Sequence, residues 1–407
     1  MPRDRLHLLF INVGHFYDHL FMLLFATVAA LTLSRDWGMT YGELIPYATP
    51  GFIAFGVCAL PAGWLADKWS REGMMAAFFI GVGACSILTG FADTPIQIGA
   101  GLLAIGVFGA IYHPVGIAMV VETRGRVGMA VAVNGVFGNI GVGSAALIAG
   151  LLIDVAGWRA AFIAPGIVSL VTGLAYMALF ADRLRAIGTL AATGTKPRPS
   201  AAANLDQGAL VRVFAIILVT TAIGGLIFQS TTFALPKVFD ERLTDLGASA
   251  TMIGGYAFLV FAAAAVAQLV VGFMVDRYSI RTVFTVVAAM QVVFLALMIG
   301  TSGWLAIVVA VAFMLAVFGQ IPINDVLIGR VTTKEWRSRV YSVRYIVTFS
   351  VMASAVPLIG WIHNGWGFDT LFGVLALSAM GILAAVLMLP RTRAVTGKAA
   401  PAVAAAE

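Results

Sequence analysis

Three titratable residues lie close together in the first long apolar segment of the chain. His15, Asp18 and His19 are spaced i, i+3 and i+4, so their side chains share one face of a helix. A rise of about 1.5 Å per residue from Leu6 places them about 14 to 20 Å into that helix, near mid-bilayer. His113 lies about 12 Å inside a later apolar segment by the same measure. A carboxyl and an imidazole at such depth can exchange a proton, and Asp18 with His113 is the predicted proton-coupling pair.

Two other interpretations of these side chains stay open. Each histidine of the first segment could hydrogen-bond a neighbouring helix as a structural contact. Alternatively, His15 and His19 with Asp18 between them could bind a transition metal, and His113 would complete the ligand set. Against this second reading, the chain has no histidine-rich loop and only two cysteines, which excludes a thiolate cluster and a disulfide framework.

Polar residues of the later apolar segments form a second group. Asp325 lies about 8 Å inside Arg330, and Arg344 lies about 8 Å inside Arg339, so an ion pair at equal depth is predicted. Such a buried pair is explained better by switching than by net stability, and an Arg344 that faces the substrate would attract anions. Further candidates for the wall of a substrate cavity are Tyr17, Asn134, Asn139, Gln229, Gln320, Asn324 and Tyr345.

The elements that must position these groups are membrane helices. Of the 407 residues, 61% are hydrophobic and 11% charged, and the mean hydropathy of +0.98 is too high for a water-soluble domain. A bilayer core about 30 Å thick requires roughly 20 apolar residues per spanning helix. Twelve runs of this kind occur, at 6–33, 43–66, 74–92, 95–121, 129–153, 158–180, 209–235, 249–275, 282–300, 304–329, 339–362 and 367–389.

Basic residues predict the orientation of these helices. If both termini are cytoplasmic, the outer loops contain only Arg35, Arg159, Lys237 and Arg242, and every other basic residue except Arg344 lies in an inner segment. We therefore predict an integral protein of the bacterial inner membrane, with both termini in the cytoplasm. The net charge of +6 is spread over short loops, so lipid and not nucleic acid is the expected partner.

An internal repeat divides the chain into two halves. Residues 63–71 read GWLADKWSR and residues 272–280 read GFMVDRYSI, while RGRV at 124–127 matches RSRV at 337–340. The predicted units are a six-helix half at 1–182, a cytoplasmic linker at 183–208, a second six-helix half at 209–390 and a flexible cytoplasmic tail at 391–407.

The repeated Gly-x-x-x-Asp-basic segment resembles the loop motif of the major facilitator superfamily. The resemblance implies an all-α membrane protein whose twelve transmembrane helices form two pseudo-symmetric six-helix bundles around a central cavity. It also implies a cytoplasmic gate in which the loop aspartates pair with basic residues. The gate residues carried over by position are Asp67, Lys68, Arg71, Arg126, Asp276, Arg277 and Arg339.

Shorter motifs resemble one branch of this superfamily. GHF at 14–16 followed by Asp18, YHP at 112–114, and GR at 125–126 leading to GNIG at 138–141 look like the fosmidomycin-resistance branch of proton-driven exporters. That resemblance implies export of a small organic molecule in exchange for protons by alternating access. One departure is that Ala145 and Ala146 stand where antiporters of the superfamily usually have Gly-Pro.

Other function classes lack their signatures in the sequence. No Gly-x-x-x-x-Gly-Lys-Ser/Thr phosphate loop is present, so an ion or solute gradient is the expected energy source. An enzyme is not expected, since no His-Glu-x-x-His motif occurs, and neither is a cofactor. The prediction is a monomeric, proton-coupled exporter. Proton-coupled uptake of an organic anion and transition-metal transport are the alternatives.

Overall fold

The computed structural model describes residues 3–122, 127–185, 207–246, 249–332 and 334–390. Over these ranges the chain is helical and contains no strand. The predicted linker at 183–208 falls largely outside the described residues: its first three residues end the short helix Ala181–Arg185, and its last two begin the helix Gln207–Arg242. The predicted tail at 391–407 lies outside them entirely.

Each half supplies six helices. The first half contains α1 (Arg3–Asp36), α2 (Tyr41–Lys68), α3 (Arg71–Thr89), α4 (Pro95–Val121), α5 (Val127–Ala156) and α6 (Ala160–Leu179). The second half contains α7 (Gln207–Arg242), α8 (Ala250–Arg277), α9 (Ile280–Leu297), α10 (Gly303–Val331), α11 (residues 334–366) and α12 (residues 368–387).

The last two helices follow one another without a loop. The segment Lys334–Leu387 has 54 residues, which is about 80 Å of helix and more than two bilayer cores. Gly367 interrupts it with a φ of 77°, a conformation that favours glycine. The described residues thus form eleven continuous apolar segments, of which the last makes two crossings, and the predicted twelve helices in two bundles are confirmed.

Apolar side chains cover the outside of the bundle as well as its interior. Val57, Leu60 and Trp64 of α2 are each more than 60% exposed, which is costly in water and favourable in lipid. The chain is therefore an integral membrane protein.

Helix α4 is interrupted near its middle. Residues 110–111 form a turn between Pro95–Gly109 and Tyr112–Val121. Pro114 then lies in the first turn of the second part, where a helix needs no backbone N–H donor. The interruption determines the position of His113, which directly precedes this proline.

The two halves meet most closely at one end of the bundle. We call the end where α1 begins the N-terminal end, and the end where α1 finishes at Asp36 the far end. At the far end α5 packs on α8 and α2 packs on α11. The backbones touch where Gly150 meets Ala250 and where Gly42 meets Gly360, and a Cβ at either first-named glycine would overlap a carbonyl group of the other half.

Polar groups at the far end cap helices across the two halves. Asp154 Oδ2 of α5 accepts hydrogen bonds from Thr251 N at 2.8 Å and Thr251 Oγ1 at 2.6 Å, at the start of α8. Asn364 of α11 accepts from Gly42 N at 3.1 Å and donates to Thr40 Oγ1 at 3.0 Å, at the start of α2.

These two contacts are related by the internal repeat. Gly63 and Gly272 are 209 residues apart, and the same offset relates Gly42 to Thr251. Thr40 and Ser249, also related by that offset, are the N-caps of α2 and α8. Each half therefore caps the corresponding helix of the other half, and we call this arrangement the far-end caps.

We expect the double variant Asp154→Ala and Asn364→Ala to open the far end more often. A helix cap contributes about 1 kcal/mol, so loss of both should raise amide exchange at 40–46 and 249–255 by about tenfold or more. Hydrogen-exchange mass spectrometry of the purified protein measures this. Asp93→Ala is the matched control, because Asp93 pairs with Arg159 inside one half at 2.7 Å. Unchanged exchange in the double variant would show that the far-end caps do not hold the halves together.

Candidate functional site

A cavity of about 340 Å³ lies between the two halves, near mid-bundle. Both halves contribute polar and aromatic side chains to its wall. Those of the first half are His15, His19, Phe52, Phe55, His113 and Asn139, and those of the second half are Thr221, Phe228, Gln229, Thr232, Gln268, Gln320, Asn324, Arg344, Tyr345, Thr348 and Phe349.

Asp18 lies behind this wall and not in it. Its side chain is 0% exposed and its Oδ2 lies 3.2 Å from His113 Nε2, while the His113 side chain is 28% exposed. Neither carboxylate oxygen makes a well-directed hydrogen bond anywhere in the described part of the chain. The His113 ring thus lies between a fully buried carboxylate and the cavity, and among the residues that the structure describes it is the one that pairs with this charge.

His15 is held in one tautomer by the backbone of α5. Its Nδ1 lies 2.8 Å from the carbonyl oxygen of Asn134, which can only accept, so Nδ1 carries the proton and Nε2 of the neutral ring is bare. The ring stacks on Tyr112 at 4.9 Å between centroids. Gly138 leaves room for it, because a Cβ there would lie 2.7 Å from His15 Nε2.

The side chain of Asn134 organises the helices and does not line the cavity. Its Nδ2 donates to Asn12 Oδ1 at 2.9 Å and to the Tyr112 hydroxyl at 2.8 Å. That hydroxyl donates in turn to the carbonyl oxygen of Ile11 at 3.0 Å. This buried network fixes α1, α4 and α5 relative to one another, and sequence reasoning missed Asn12 because its neighbours gave no sign of a partner.

His15, His19 and His113 form a three-histidine cluster. One nitrogen from each ring lies within 4.8 Å of the other two. A tetrahedral ion with bonds of about 2.1 Å requires its nitrogen ligands about 3.4 Å apart, so a cluster this wide would have to contract to hold a metal. Asp18, which the metal alternative included, is not part of the cluster, although its Oδ2 lies 3.2 Å from His113 Nε2.

In the second half the structure brings Arg344 and Asp325 together. Arg344 Nη1 contacts Asp325 Oδ1, and the two side chains are 13% and 45% exposed. Arg344 lines the cavity, whereas Asp325 does not. Arg344 therefore contributes to the cavity wall, and the carboxylate of Asp325 lies beside it.

Amide side chains of α9 and α10 form a chain of hydrogen bonds near this pair. Gln291 Nε2 donates to Gln320 Oε1 at 2.7 Å, and Gln320 Nε2 donates to the carbonyl oxygen of Thr220 at 3.0 Å. Thr220 Oγ1 lies 3.2 Å from the carbonyl oxygen of Ile217 and 3.3 Å from Asn324 Oδ1, so these two acceptors share its one proton. The amide bonds hold Gln320 at the cavity wall, and Gln291 was missed by sequence reasoning.

Three further residues predicted to line the substrate cavity differ in their position relative to it. Asn139 Nδ2 donates to Gln268 Oε1 at 3.0 Å and so bridges the two halves. Tyr17 points away from the cavity, with its hydroxyl 3.1 Å from Thr172 Oγ1 of α6. Gln229 is 1% exposed and lines the cavity.

Aromatic rings join the halves beside His113. Phe55 contacts His113 at 5.8 Å and Phe349 at 5.4 Å between centroids, both edge to face. Tyr345 stacks on Phe349 at 5.9 Å with 13° between the ring planes. No sequence signal marks these rings, because the chain contains 27 phenylalanines.

The predicted gate residues make contacts within their own halves. Arg71 binds Asp67 at 3.1 Å and also contacts Glu122, all in the first half. The Arg277 guanidinium lies 3.8 Å from the centroid of the Phe273 ring. Lys68 and Asp276 form no ion pair with a described residue. Arg126 and the side chain of Arg339 lie outside the described part of the chain. No ion pair between described residues joins the halves at the N-terminal end.

Twelve membrane helices in two related halves around a polar cavity define a secondary transporter. The family model described as Major Facilitator Superfamily matches residues 11–244 and 238–406, and the chain belongs to this superfamily. It is a transporter and not an enzyme.

Individual relatives agree with this assignment. The gallate transporter of Pseudomonas putida is 23% identical over 389 residues, which cover 88% of this chain and 86% of that protein. The puromycin resistance protein pur8 of Streptomyces alboniger is 30% identical over 135 residues, 32% of this chain and only 27% of that relative.

Solved structures show the same fold. A bacterial homologue of the human lysosomal transporter Spinster, inward-facing and occupied, has a TM-score of 0.72 at 13% identity and covers 96% of this chain and 95% of its own. Its inward-facing, unoccupied form has a TM-score of 0.70 at 14% identity. The resemblance to the fosmidomycin-resistance branch stays a prediction.

The width of the three-histidine cluster leads to a test of the metal alternative. We expect the purified protein to retain no Zn²⁺, Ni²⁺ or Co²⁺ at micromolar free metal, because closing the cluster requires all three rings to move. Equilibrium dialysis followed by elemental analysis measures bound metal. One ion per chain in the native protein, lost in both His15→Ala and His19→Ala, would instead support metal transport.

Proposed function

We propose that this chain exports a small organic molecule in exchange for protons, with His113 and Asp18 as the proton-binding pair. The observation that carries the proposal is the 3.2 Å contact between a carboxylate of zero exposure and a histidine at the cavity wall. The proposed location is a bacterial inner membrane with both termini in the cytoplasm, which the distribution of basic residues supports.

The energetics of burial give this pair its coupling role. One proton shared by Asp18 and His113 leaves the pair with no net charge. Loss of that proton leaves a carboxylate of zero exposure beside a neutral imidazole, so the pair carries an uncompensated negative charge, which is strongly unfavourable in a buried site. The unprotonated pair is therefore disfavoured when the cavity is closed to water, so a proton stays bound during the conformational change.

Exchange follows if substrate and proton compete for His113. A substrate in the cavity contacts the exposed face of His113. The positive charge or hydrogen-bond donors of the substrate then compensate the Asp18 carboxylate in place of the proton. The protein changes conformation with one or the other bound, which is the condition for antiport. The similarity to the puromycin resistance protein supports export, although it covers 27% of that relative.

Closure at the far end supports an inward-facing state. The far-end caps join the halves there, whereas no ion pair between described residues joins them at the N-terminal end. With the N-terminus in the cytoplasm, the cavity would open to the cell interior, where an exporter collects its substrate.

Proton-coupled uptake of an organic anion is the second candidate. It is favoured by the position of Arg344 at the cavity wall and by the similarity of 88% of the chain to a gallate transporter. The same pair would then carry protons in the direction of the substrate. The two candidates differ in the sign of the pH change that accompanies transport.

Proteoliposomes with a trapped fluorescent pH indicator measure that sign. Puromycin, gallate and a panel of small organic acids and cations are added outside. Under antiport the internal pH rises as a compound enters, and under symport it falls, whichever way the protein is inserted. We expect a rise for the transported compound.

Variants of the pair test the coupling. We expect Asp18→Asn and His113→Ala to reduce pH-gradient-driven flux by at least about tenfold, because neither can hold the shared proton. Exchange of labelled for unlabelled compound without a gradient should persist in Asp18→Asn, which shows that the variant is folded. Asp182→Asn is the control, since Asp182 pairs with Arg3 at the surface. Full gradient-driven flux in both variants would exclude this pair as the coupling site.

A further inference from the structure

The two halves meet along two seams that the internal repeat relates to each other. In the α5/α8 seam, residues 139–154 face residues 250–268, and in the α2/α11 seam, residues 41–56 face residues 349–364. One far-end cap closes each seam. Differences between these equivalent contacts therefore indicate which seam opens when the protein releases a molecule on the far side.

The α5/α8 seam is closed by contacts between backbones. A Cβ at Gly150 would lie 2.2 Å from the carbonyl oxygen of Ala250, and a Cβ at Gly254 would lie 2.2 Å from that of Ala146. Both helices are continuous and contain no proline. Small residues allow this close approach, and separating the helices would break contacts at several levels of the bundle.

The polar groups of the α5/α8 seam are also paired. Asp154 accepts two hydrogen bonds from Thr251, and Asn139 donates to Gln268 at 3.0 Å. Within the described residues, no buried side-chain donor or acceptor on this seam is without a partner. Water would therefore reach no unsatisfied group there, and opening this seam only breaks hydrogen bonds.

Unsatisfied polar groups are present on the α2/α11 seam. Tyr41 Oη and Thr49 Oγ1 of α2 and His363 Nδ1 of α11 are buried, and none of the three has a hydrogen-bond partner in the described part of the chain. The rings of Tyr41 and His363 meet edge to face across the seam at 5.3 Å between centroids. A buried polar atom without a partner is unfavourable, so contact with water in an open seam would offset part of the lost packing.

Thr49 lies between two close contacts with α11. Gly42, Thr49 and Gly56 are seven residues apart, about two helical turns, so they share one face of α2. A Cβ at Gly42 would lie 2.3 Å from the carbonyl oxygen of Gly360, and a Cβ at Gly56 would lie 2.8 Å from Phe349 Cβ. The unsatisfied Thr49 hydroxyl is therefore in the closed part of the seam, between α2 and α11.

The helices of the α2/α11 seam are interrupted, unlike those of the other seam. Residues Ile45–Ala48 form a 3₁₀ turn within α2, and Pro357 removes a backbone donor inside α11. A surface groove of about 480 Å³ runs beside these breaks and is lined by Gly42, Pro46, Pro357, Gly360, Trp361 and Asn364. Both helices can bend at these positions more easily than α5 and α8 can.

We propose that the far end opens along the α2/α11 seam, whereas the α5/α8 seam stays closed and serves as the hinge. Opening there separates Phe55 from Phe349, two rings that also contact His113. The transported molecule then leaves the cavity past the His113 ring, on the side of α2 and α11. This inference concerns the route to the far side, and it depends neither on the identity of the substrate nor on proton coupling.

The accessibility of single cysteines tests which seam opens. Thr49→Cys and Phe258→Cys place a thiol at positions that the repeat relates by its offset of 209 residues, and Phe258 contacts Gly143 across the α5/α8 seam. Cys58→Ala and Cys85→Ala remove the two native thiols. The purified full-length protein is placed in liposomes with a charged methanethiosulfonate on both sides, and mass spectrometry of the intact protein measures the labelling rate.

Removal of both far-end caps should affect the two thiols differently. We expect labelling of Thr49→Cys to become about tenfold faster or more in the Asp154→Ala and Asn364→Ala background, because the caps then no longer oppose opening. Labelling of Phe258→Cys should change by less than about twofold in the same background, although the smaller side chain loosens its own seam. Asn364→Ala alone should give most of the increase at Thr49→Cys.

Three outcomes of the labelling would overturn the inference. These are a larger increase at Phe258→Cys than at Thr49→Cys, an equal increase at both, or no increase at either. Hydrogen exchange of the native protein gives a second measurement that needs no substitution. Amides at 353–363 of α11 should exchange at least about tenfold faster than the repeat-related amides at 143–153 of α5, and equal exchange would contradict the proposed hinge.

Discussion

A carboxylate kept away from water is the constraint that organises the first half. Asp18 has no exposed side-chain surface, and a buried charge is tolerated only beside a compensating partner. His113 is that partner, and its position depends on the interruption of α4 before Pro114. Gly138 leaves the space that His15 fills beside it. Three helices therefore converge on one buried acid, and the cavity forms where their polar residues face the second half.

The fold was largely predictable, since hydropathy and an internal repeat are properties of the sequence itself. Twelve helices in two halves followed from apolar runs and from the repeat at Gly63 and Gly272. The boundary between α11 and α12 was harder. A loop was predicted at 363–366, but the backbone stays helical there and turns only at Gly367. Hydropathy shows that polar residues separate the two apolar runs. It does not show where the backbone turns, which here depends on a single glycine with positive φ.

The isolated titratable residues of the site could be identified from the sequence, whereas the way in which the side chains pack could not. His15, His19 and His113 stood out because charge is rare at membrane depth, and the structure brings them into one cluster. Shared helical spacing placed Asp18 on their face, yet it lies behind His113, because a difference of one position rotates a side chain by about 100°. Tyr17 was a cavity candidate by polarity alone and packs on α6 instead. The aromatic wall had no distinguishing pattern.

Helix α11 connects the three parts of the proposed mechanism. It carries Arg344 at the cavity, Phe349 against Phe55 and Asn364 in the far-end caps. Asn364 and Phe349 lie on the same helix, so a shift of α11 after release of Asn364 would also move Phe349. Phe349 lies 6.5 Å from His113 between centroids, and its withdrawal would change the access of water to that ring. The contacts that join the halves at the far end among the described residues are hydrogen bonds and close backbone packing, and those made by α11 change when this helix moves.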